Sequence, residues 1–357
     1  MRKMNVREWR GRLILLSMSC VLMLLAAELA CRVWRGPAFL VHWPNLVLLE
    51  GEMDRAKTKC RFLPEPTLGY VPEPNCVGED HSHDPTGLRV TPASPDDQSL
   101  GKPILVTGDS YAYSSEVRDN ETWAAYLQEM VHHRVDNGGV SGYGLDQSVL
   151  RTESLARQIK PSLIVLSFIA DDLQRATMRR LFGSNKPYFS VTGDQLELHN
   201  SPVIQERITW DRLPFWQRWF GWSMLLDKFM RHYGDYYRWF WQDAEGDWPG
   251  TGETLACPLM KRVAALGIPT LVVAQYRPHL WQYDAQWVAE QRRLSQLVLR
   301  CAASEGLQTY DSFDLIDGVV RLHGVQSLYG DWHHNAAGNK LVAEGISRAL
   351  NEFNLLP

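Results

Sequence analysis

Two short stretches hold the residue types best suited to nucleophilic chemistry. Gly108-Asp109-Ser110 directly follows the apolar run Ile104-Leu-Val-Thr107, which would place a serine at the carboxyl end of a buried strand. A helix starting there would aim backbone N–H groups at an oxyanion. The plain alternative is a turn in which Ser110 caps a helix. Near the other end, Asp331-Trp-His-His-Asn-Ala-Ala-Gly338 sets an acid and two imidazoles just before a helix. A serine hydroxyl needs a base to attack at neutral pH, and that base needs a carboxylate to fix its tautomer. Asp331 reaching back to His333 would supply both from one turn. Ordinary turn residues at a helix start are one alternative. A metal site from Asp331, His333 and His334 is another, although three ligands in one short turn rarely converge.

The elements that must position these residues are legible as alternating strands and helices. Strands are expected at Ile104–Thr107, from Val135, at Leu163–Phe168, Thr270–Ala274 and Gln308–Tyr310. Helices are expected at Glu121–His133, Asp146–Gln158, Pro258–Leu266, Asp284–Ser304 and Ala336–Asn351. Such alternation implies a parallel sheet covered on both faces. Five strands suit a flavodoxin-like three-layer α/β/α sandwich with its site at the carboxyl ends of the strands. The alternation is interrupted at about 176–252, an insertion holding seven of the chain's 14 tryptophans between Trp210 and Trp248. Its aromatics, among them Trp216, Trp219, Trp222, Phe229, Tyr233, Tyr236, Tyr237, Phe240 and Trp241, are expected mainly as helical packing over the catalytic edge. A minority would stack on sugars or sit at a membrane interface.

In order and spacing, four blocks of this chain resemble those of the SGNH/GDSL hydrolases. Ile104-Leu-Val-Thr-Gly-Asp-Ser-Tyr-Ala-Tyr113 is similar to the first, and Asn137-Gly-Gly-Val-Ser-Gly-Tyr-Gly-Leu-Asp-Gln147 to the second. Phe168-Ile-Ala-Asp-Asp-Leu173 occupies the third and Asp331-x-His333-x-Asn335-x-x-Gly338 the last. The resemblance implies Ser110 as nucleophile and His333, by its interval to Gly338, as base, with Asp331 orienting it. It implies an oxyanion hole from the N–H groups of Ser110 and Gly142. The third block usually supplies an Asn amide; Asp171 stands there instead, and an ionised carboxylate would repel the developing charge. The Asp-x-His spacing occurs in branches that acetylate or deacetylate bacterial polysaccharides. Phe62–Asn75 and Thr86-Gly-Leu-Arg89 resemble the lead-in of membrane-anchored members.

The N-terminus carries its own signal. Arg2, Lys3, Arg7, Arg10 and Arg12 precede the apolar run Leu13–Ala27, which continues past Glu28 to Val33 or Trp34. That extension gives about 20 residues, enough to cross a bilayer. The cationic flank would stay cytoplasmic. The expected organisation is therefore a basic segment 1–12, a single-pass signal anchor 13–34, a linker and lead-in 35–100, and a hydrolase domain 101–357 outside the bacterial inner membrane. A cleaved signal peptide is the rival, but a small-x-small site is missing, and Glu28-Leu29-Ala30-Cys31 suits lipoprotein processing poorly. Cys60 and Cys76 bracket a Pro-rich loop and could form a disulfide in an oxidising periplasm. Cys257 and Cys301 are not expected to pair, since they fall near the start of one helix and the end of another that should run parallel.

A net charge of -4, with no long Lys/Arg stripe outside the N-terminus, gives no sign of a nucleic-acid partner, and none is expected. The expected activity is ester hydrolysis or acyl transfer, with no metal or organic cofactor. The expected substrate is an acylated glycan, with O-acetyl groups of an envelope or exported polysaccharide first. A lipid or lysophospholipid esterase is the second enzyme reading. A non-catalytic glycan-binding or assembly subunit is the reading that Asp171 motivates.

Overall fold

A computed structural model describes residues 6–49, 60–92, 101–181, 184–193, 195–206, 209–232, 239 and 252–356. Tyr233, Tyr236, Tyr237, Phe240 and Trp241 lie outside these residues. The chain forms two compact units, one from residues 57–206 with 245–357, the other from 1–56 with 207–244. The segment at 176–252 is thus divided between them.

The larger unit is built on five parallel strands: β1 (Ile104–Thr107), β2 (Val135–Asn137), β3 (Leu163–Phe168), β4 (Thr270–Ala274) and β5 (Gln308–Asp311). Their order across the sheet is β2-β1-β3-β4-β5, the flavodoxin-like order with its switch point beside β1. Strand side chains alternate between two apolar layers. Leu105, Ile164, Leu166 and Val272 pack on the helices Leu145–Ile159, Glu253–Ala264 and Ala285–Ser304. Ile104, Val106, Val165 and Val273 pack on Trp123–Val131, Phe313–His323 and Ala336–Glu352. The five expected strands and the three-layer class are present. The helix Phe313–His323 was not among the expected elements; it buries Ile316 and Val320 at helical spacing.

Both flanking stretches of the larger unit are ordered by polar anchors. In the lead-in, the hairpin Phe62–Glu65 with Gly69–Pro72 is tied to the β2 turn through Tyr70 Oη, which donates to the Ser141 carbonyl at 2.9 Å. Gln147 Nε2 donates to the Leu68 carbonyl at 2.7 Å. Beyond β3, two short hairpins span Arg180–Asn185 and Tyr188–His199. Between them Lys186 is fully buried and donates from Nζ to Asp146 Oδ2 at 2.5 Å and to the carbonyls of Arg175, Met178 and Pro187.

Two disulfides close loops of this unit. Cys60–Cys76 forms as expected, with Cα atoms 5.5 Å apart. Cys257–Cys301 also forms, Cα atoms 4.6 Å apart, contrary to expectation. The helices do run parallel: Arg293 meets Glu253 and Cys301 meets Cys257, so both chains advance in the same direction. With 20 residues against 12, the longer helix is offset so that its last turns lie beside the first turns of the shorter one. Parallel direction did not forbid the bridge; the offset allowed it.

In the smaller unit the helix Val6–Arg35 is long and apolar enough to cross a membrane, and its most apolar window is fully exposed. The buried Lys186–Asp146 pair makes a test of the larger unit. Removing one partner leaves a buried charge uncompensated, so Lys186→Met should lower unfolding stability by about 3–5 kcal/mol, read from the midpoint of chemical denaturation.

Candidate active site

Ser110 sits where β1 ends. Gly108 turns the chain at φ +146°, and a Cβ there would lie 2.3 Å from the Ser167 carbonyl oxygen, so only glycine fits. Asp109 then caps the short helix Ser110–Tyr113, its Oδ1 accepting from the Tyr111 N–H at 2.9 Å. Ser114, left-handed at φ 59°, ends that helix and turns the chain back. This reversal brings Glu116 into the site.

The catalytic pieces meet. His333 Nε2 lies 2.9 Å from Ser110 Oγ, and His333 Nδ1 lies 3.0 Å from Glu116 Oε1. With Glu116 ionised, Nδ1 carries the proton and Nε2 is left free to accept from the serine hydroxyl. Glu116 also accepts the backbone N–H groups of Asp331 at 2.9 Å and Trp332 at 3.0 Å. Burial pushes its carboxyl up, but the His333 ring and the amides of this turn outweigh that and hold it below the ordinary carboxylate value.

The acid behind the imidazole is therefore Glu116, and the expectation of Asp331 is corrected. Asp331 is exposed and gives Glu116 only its backbone N–H. The turn presents amides on the Nδ1 side of the ring, and those amides call for a carboxylate from elsewhere. A glutamate six residues past the nucleophile was visible in Ser110-Tyr-Ala-Tyr-Ser-Ser-Glu116, but nothing in that spacing predicts a left-handed reversal at a serine.

The loop that carries Glu116 is held by Arg89. This buried guanidinium donates to the carbonyls of Tyr113, Ser114 and Val117, the last at 2.6 Å, and to Asp119 at 3.1 Å. The lead-in thus reaches the loop through Arg89 and through His83, whose Nε2 lies 2.8 Å from Tyr113 Oη. From the other side, Ser114 Oγ donates to Asn339 Oδ1 at 2.9 Å, joining the serine turn to the last helix. Tyr111 Oη donates to the Trp332 carbonyl at 2.7 Å.

Gly142 lies in the turn after β2 with φ +81°, a conformation other residues rarely adopt. The preceding Ser141 accepts from Ser115 Oγ at 3.3 Å, which places this turn beside the nucleophile's loop. Asp171 forms an ion pair with Arg277, beyond β4. The Asp171 side chain, at the position where the resemblance implies an amide, is thus engaged by a guanidinium. Arg277 was not singled out in the sequence, because one arginine after a strand carries no distinguishing spacing. Further in, Arg175 lies 2.9 Å from Asp172 and 3.8 Å from Asp109. Burial first, then the Asp109 charge, pushes the Asp172 carboxyl well up; burial likewise raises Asp109.

His334 has no part in the relay. It is buried, stacked on Tyr329 at 4.4 Å and edge-on to Tyr111 at 5.4 Å. Burial, with a smaller push from His333, pulls its pKa to about 3. Asp331, His333 and His334 do not converge, and among the described residues no group of three His, Cys, Asp or Glu could hold a metal.

No protein-family model matches the chain, and no curated protein matches it. Solved structures similar to it include LAE5, an alpha/beta hydrolase enzyme from the metagenome of Lake Arreo, Spain, at 16% identity and TM-score 0.42, over 70% of this chain and 95% of that one. A putative lipolytic protein of the G-D-S-L family from Desulfitobacterium hafniense is similar at 13% identity and TM-score 0.40, over 70% of this chain and 100% of that one. Axe2, an acetylxylan esterase from Geobacillus stearothermophilus, is similar at 15% identity and TM-score 0.41, over 70% of this chain and 94% of that one.

Two outcomes follow from this geometry. Glu116→Gln should slow labelling of Ser110 by a fluorophosphonate about 10²-fold or more, because the amide no longer fixes the productive tautomer. Asp331→Asn should change the rate less than about threefold, as expected for an exposed carboxylate. A further outcome concerns stability. Between pH 6.5 and about 3 the unfolded chain takes up a proton at His334 and the folded chain does not, so stability falls as pH falls. One such proton is worth about 1.4 kcal/mol per pH unit. His334→Phe, which keeps the ring contacts, should flatten the acid limb of stability against pH by that amount.

Proposed function

We propose that this chain is a serine esterase or acyltransferase, and that the hydrogen-bonded line Ser110–His333–Glu116 carries its chemistry. Ser110 Oγ attacks an ester carbonyl while His333 Nε2 takes the hydroxyl proton. The N–H groups of Ser110 and Gly142 would meet the oxyanion of the tetrahedral intermediate. Collapse breaks the bond to the alcohol oxygen, which leaves with the proton from His333. Water, or a sugar hydroxyl, then gives its proton to His333 and attacks the acyl-serine, restoring Ser110. Throughout, Glu116 keeps Nδ1 protonated and stabilises the imidazolium.

The preferred substrate in this reading is an O-acetylated glycan outside the bacterial inner membrane. Supporting it is a hollow beside Glu116 lined by Asp80, His81, Ser115, Arg118 and Glu121. A polar wall of this kind suits hydroxyl-rich sugars better than an acyl chain. The two disulfides fit an oxidising compartment, and the helix Val6–Arg35 is the single-pass anchor of this reading.

The test is hydrolysis of p-nitrophenyl acetate by the full chain and by Ser110→Ala. The variant should retain less than about 10⁻³ of the rate; equal rates would remove the enzyme reading. Competition by acetylated polysaccharide, and none by a lysophospholipid, is expected. The reverse pattern would move the substrate to lipid.

A further inference from the structure

The smaller unit, taken by itself, contains an acid inside an apolar helix. Glu28 follows the run Leu13–Ala27, and a lone carboxylate at the end of a membrane span is costly unless it is paired. Here it is fully engaged. It accepts from Ser223 Oγ at 2.8 Å and from the N–H groups of Met224 at 3.0 Å and Leu225 at 2.9 Å, capping the helix Met224–His232. Arg32 donates to Glu28 at 2.7 Å, to the Phe39 carbonyl at 2.9 Å and to the Trp222 carbonyl at 2.6 Å, and lies 3.4 Å over the Trp43 ring.

These contacts set a depth. Arg12 and Arg32 are about 20 residues apart, or about 30 Å of helix, the thickness of a bilayer's hydrocarbon core. Glu28 and Arg32 then mark its outer boundary. The capped helix begins at Glu28, and its Asp227 pairs with Arg35 at 3.6 Å, so it climbs away from the bilayer as it proceeds. The helix Phe215–Phe220 precedes it and is tied to the stretch after the anchor, Gln217 and Gly221 carbonyls accepting from Asn45 and Leu46, while the Trp222 carbonyl just past it accepts from Arg32 at the boundary level. At that level Phe215, Trp219 and Phe220 are 72%, 63% and 53% exposed.

We infer that residues 209–232 with 38–47 form a collar around the outer end of the anchor, and that the exposed aromatic face of this collar lies in the lipid interface. Aromatic side chains are favoured at that depth, and the collar is continuous with the helix that crosses the membrane. The aromatic segment then belongs to the anchor, and the Glu28–Arg32 joint makes that helix part of a folded unit that is retained in the mature chain. The inference rests on the reading of Val6–Arg35 as a membrane span and is independent of the esterase chemistry.

The test uses the full chain in phosphatidylglycerol–phosphatidylethanolamine vesicles carrying a nitroxide lipid, labelled either near the headgroup or at the chain's methyl end. The fluorescence difference between the parent and Trp219→Phe reports Trp219 alone, and Trp210→Phe gives an independent second signal. Quenching about twofold stronger by the shallow label is expected. Retention of the protein after an alkaline wash with no quenching of either signal would overturn the collar, as would stronger quenching by the deep label; a protein partner covering this face would give the first pattern. Release of the protein by the wash would overturn the anchor and the collar together.

Discussion

The hydrogen bond from His333 Nδ1 to Glu116 is the constraint on which the site depends. It decides which ring nitrogen is free to face Ser110, and it exists only because the chain reverses after Tyr113. That reversal needs Ser114 in a left-handed conformation and three carbonyls of residues 113–117 pointing at one guanidinium. Arg89 supplies that guanidinium from the lead-in, where its own backbone N–H donates to the Asn137 carbonyl of β2 at 2.9 Å. The short helix, the loop and the lead-in are therefore one mechanical assembly. The turn at 331–333 closes on it through two amides, so Ser110, His333 and Glu116 are positioned by mutually dependent contacts.

Buried charge is handled in pairs around this assembly. Asp146 meets Lys186, Asp171 meets Arg277, and Asp109 and Asp172 share Arg175. Each acid would be costly alone in an apolar layer. Asp109 is bound to the nucleophile's own helix, and its environment is set by Arg175 on the helix after β3. The Arg277–Asp171 pair fills a position where the oxyanion donor was expected to be an amide. Backbone N–H groups carry no side-chain signature beyond the glycine that a positive φ favours at Gly142.

What was legible in the sequence was whatever depends on local pattern. Three strands were apolar runs of Val, Ile and Leu, and the two edge strands, Val135–Asn137 and Gln308–Asp311, followed from the alternation with helices; Ser110 stood at the end of one apolar run, and His333 just before the last helix. Contacts that depend on chain reversal or relative offset were not legible. Glu116 required a left-handed serine, and the Cys257–Cys301 bridge required knowing how far two parallel helices are offset along each other.

Glu116, and not Asp331, accepts the hydrogen bond from the His333 Nδ1–H. Proton NMR of the full chain tests it most directly, through the low-field resonance of the His333 Nδ1 proton, identified by its loss in His333→Ala. That resonance should disappear or move sharply upfield in Glu116→Gln and stay in place in Asp331→Asn. A resonance that survives the first substitution and vanishes with the second would contradict the account.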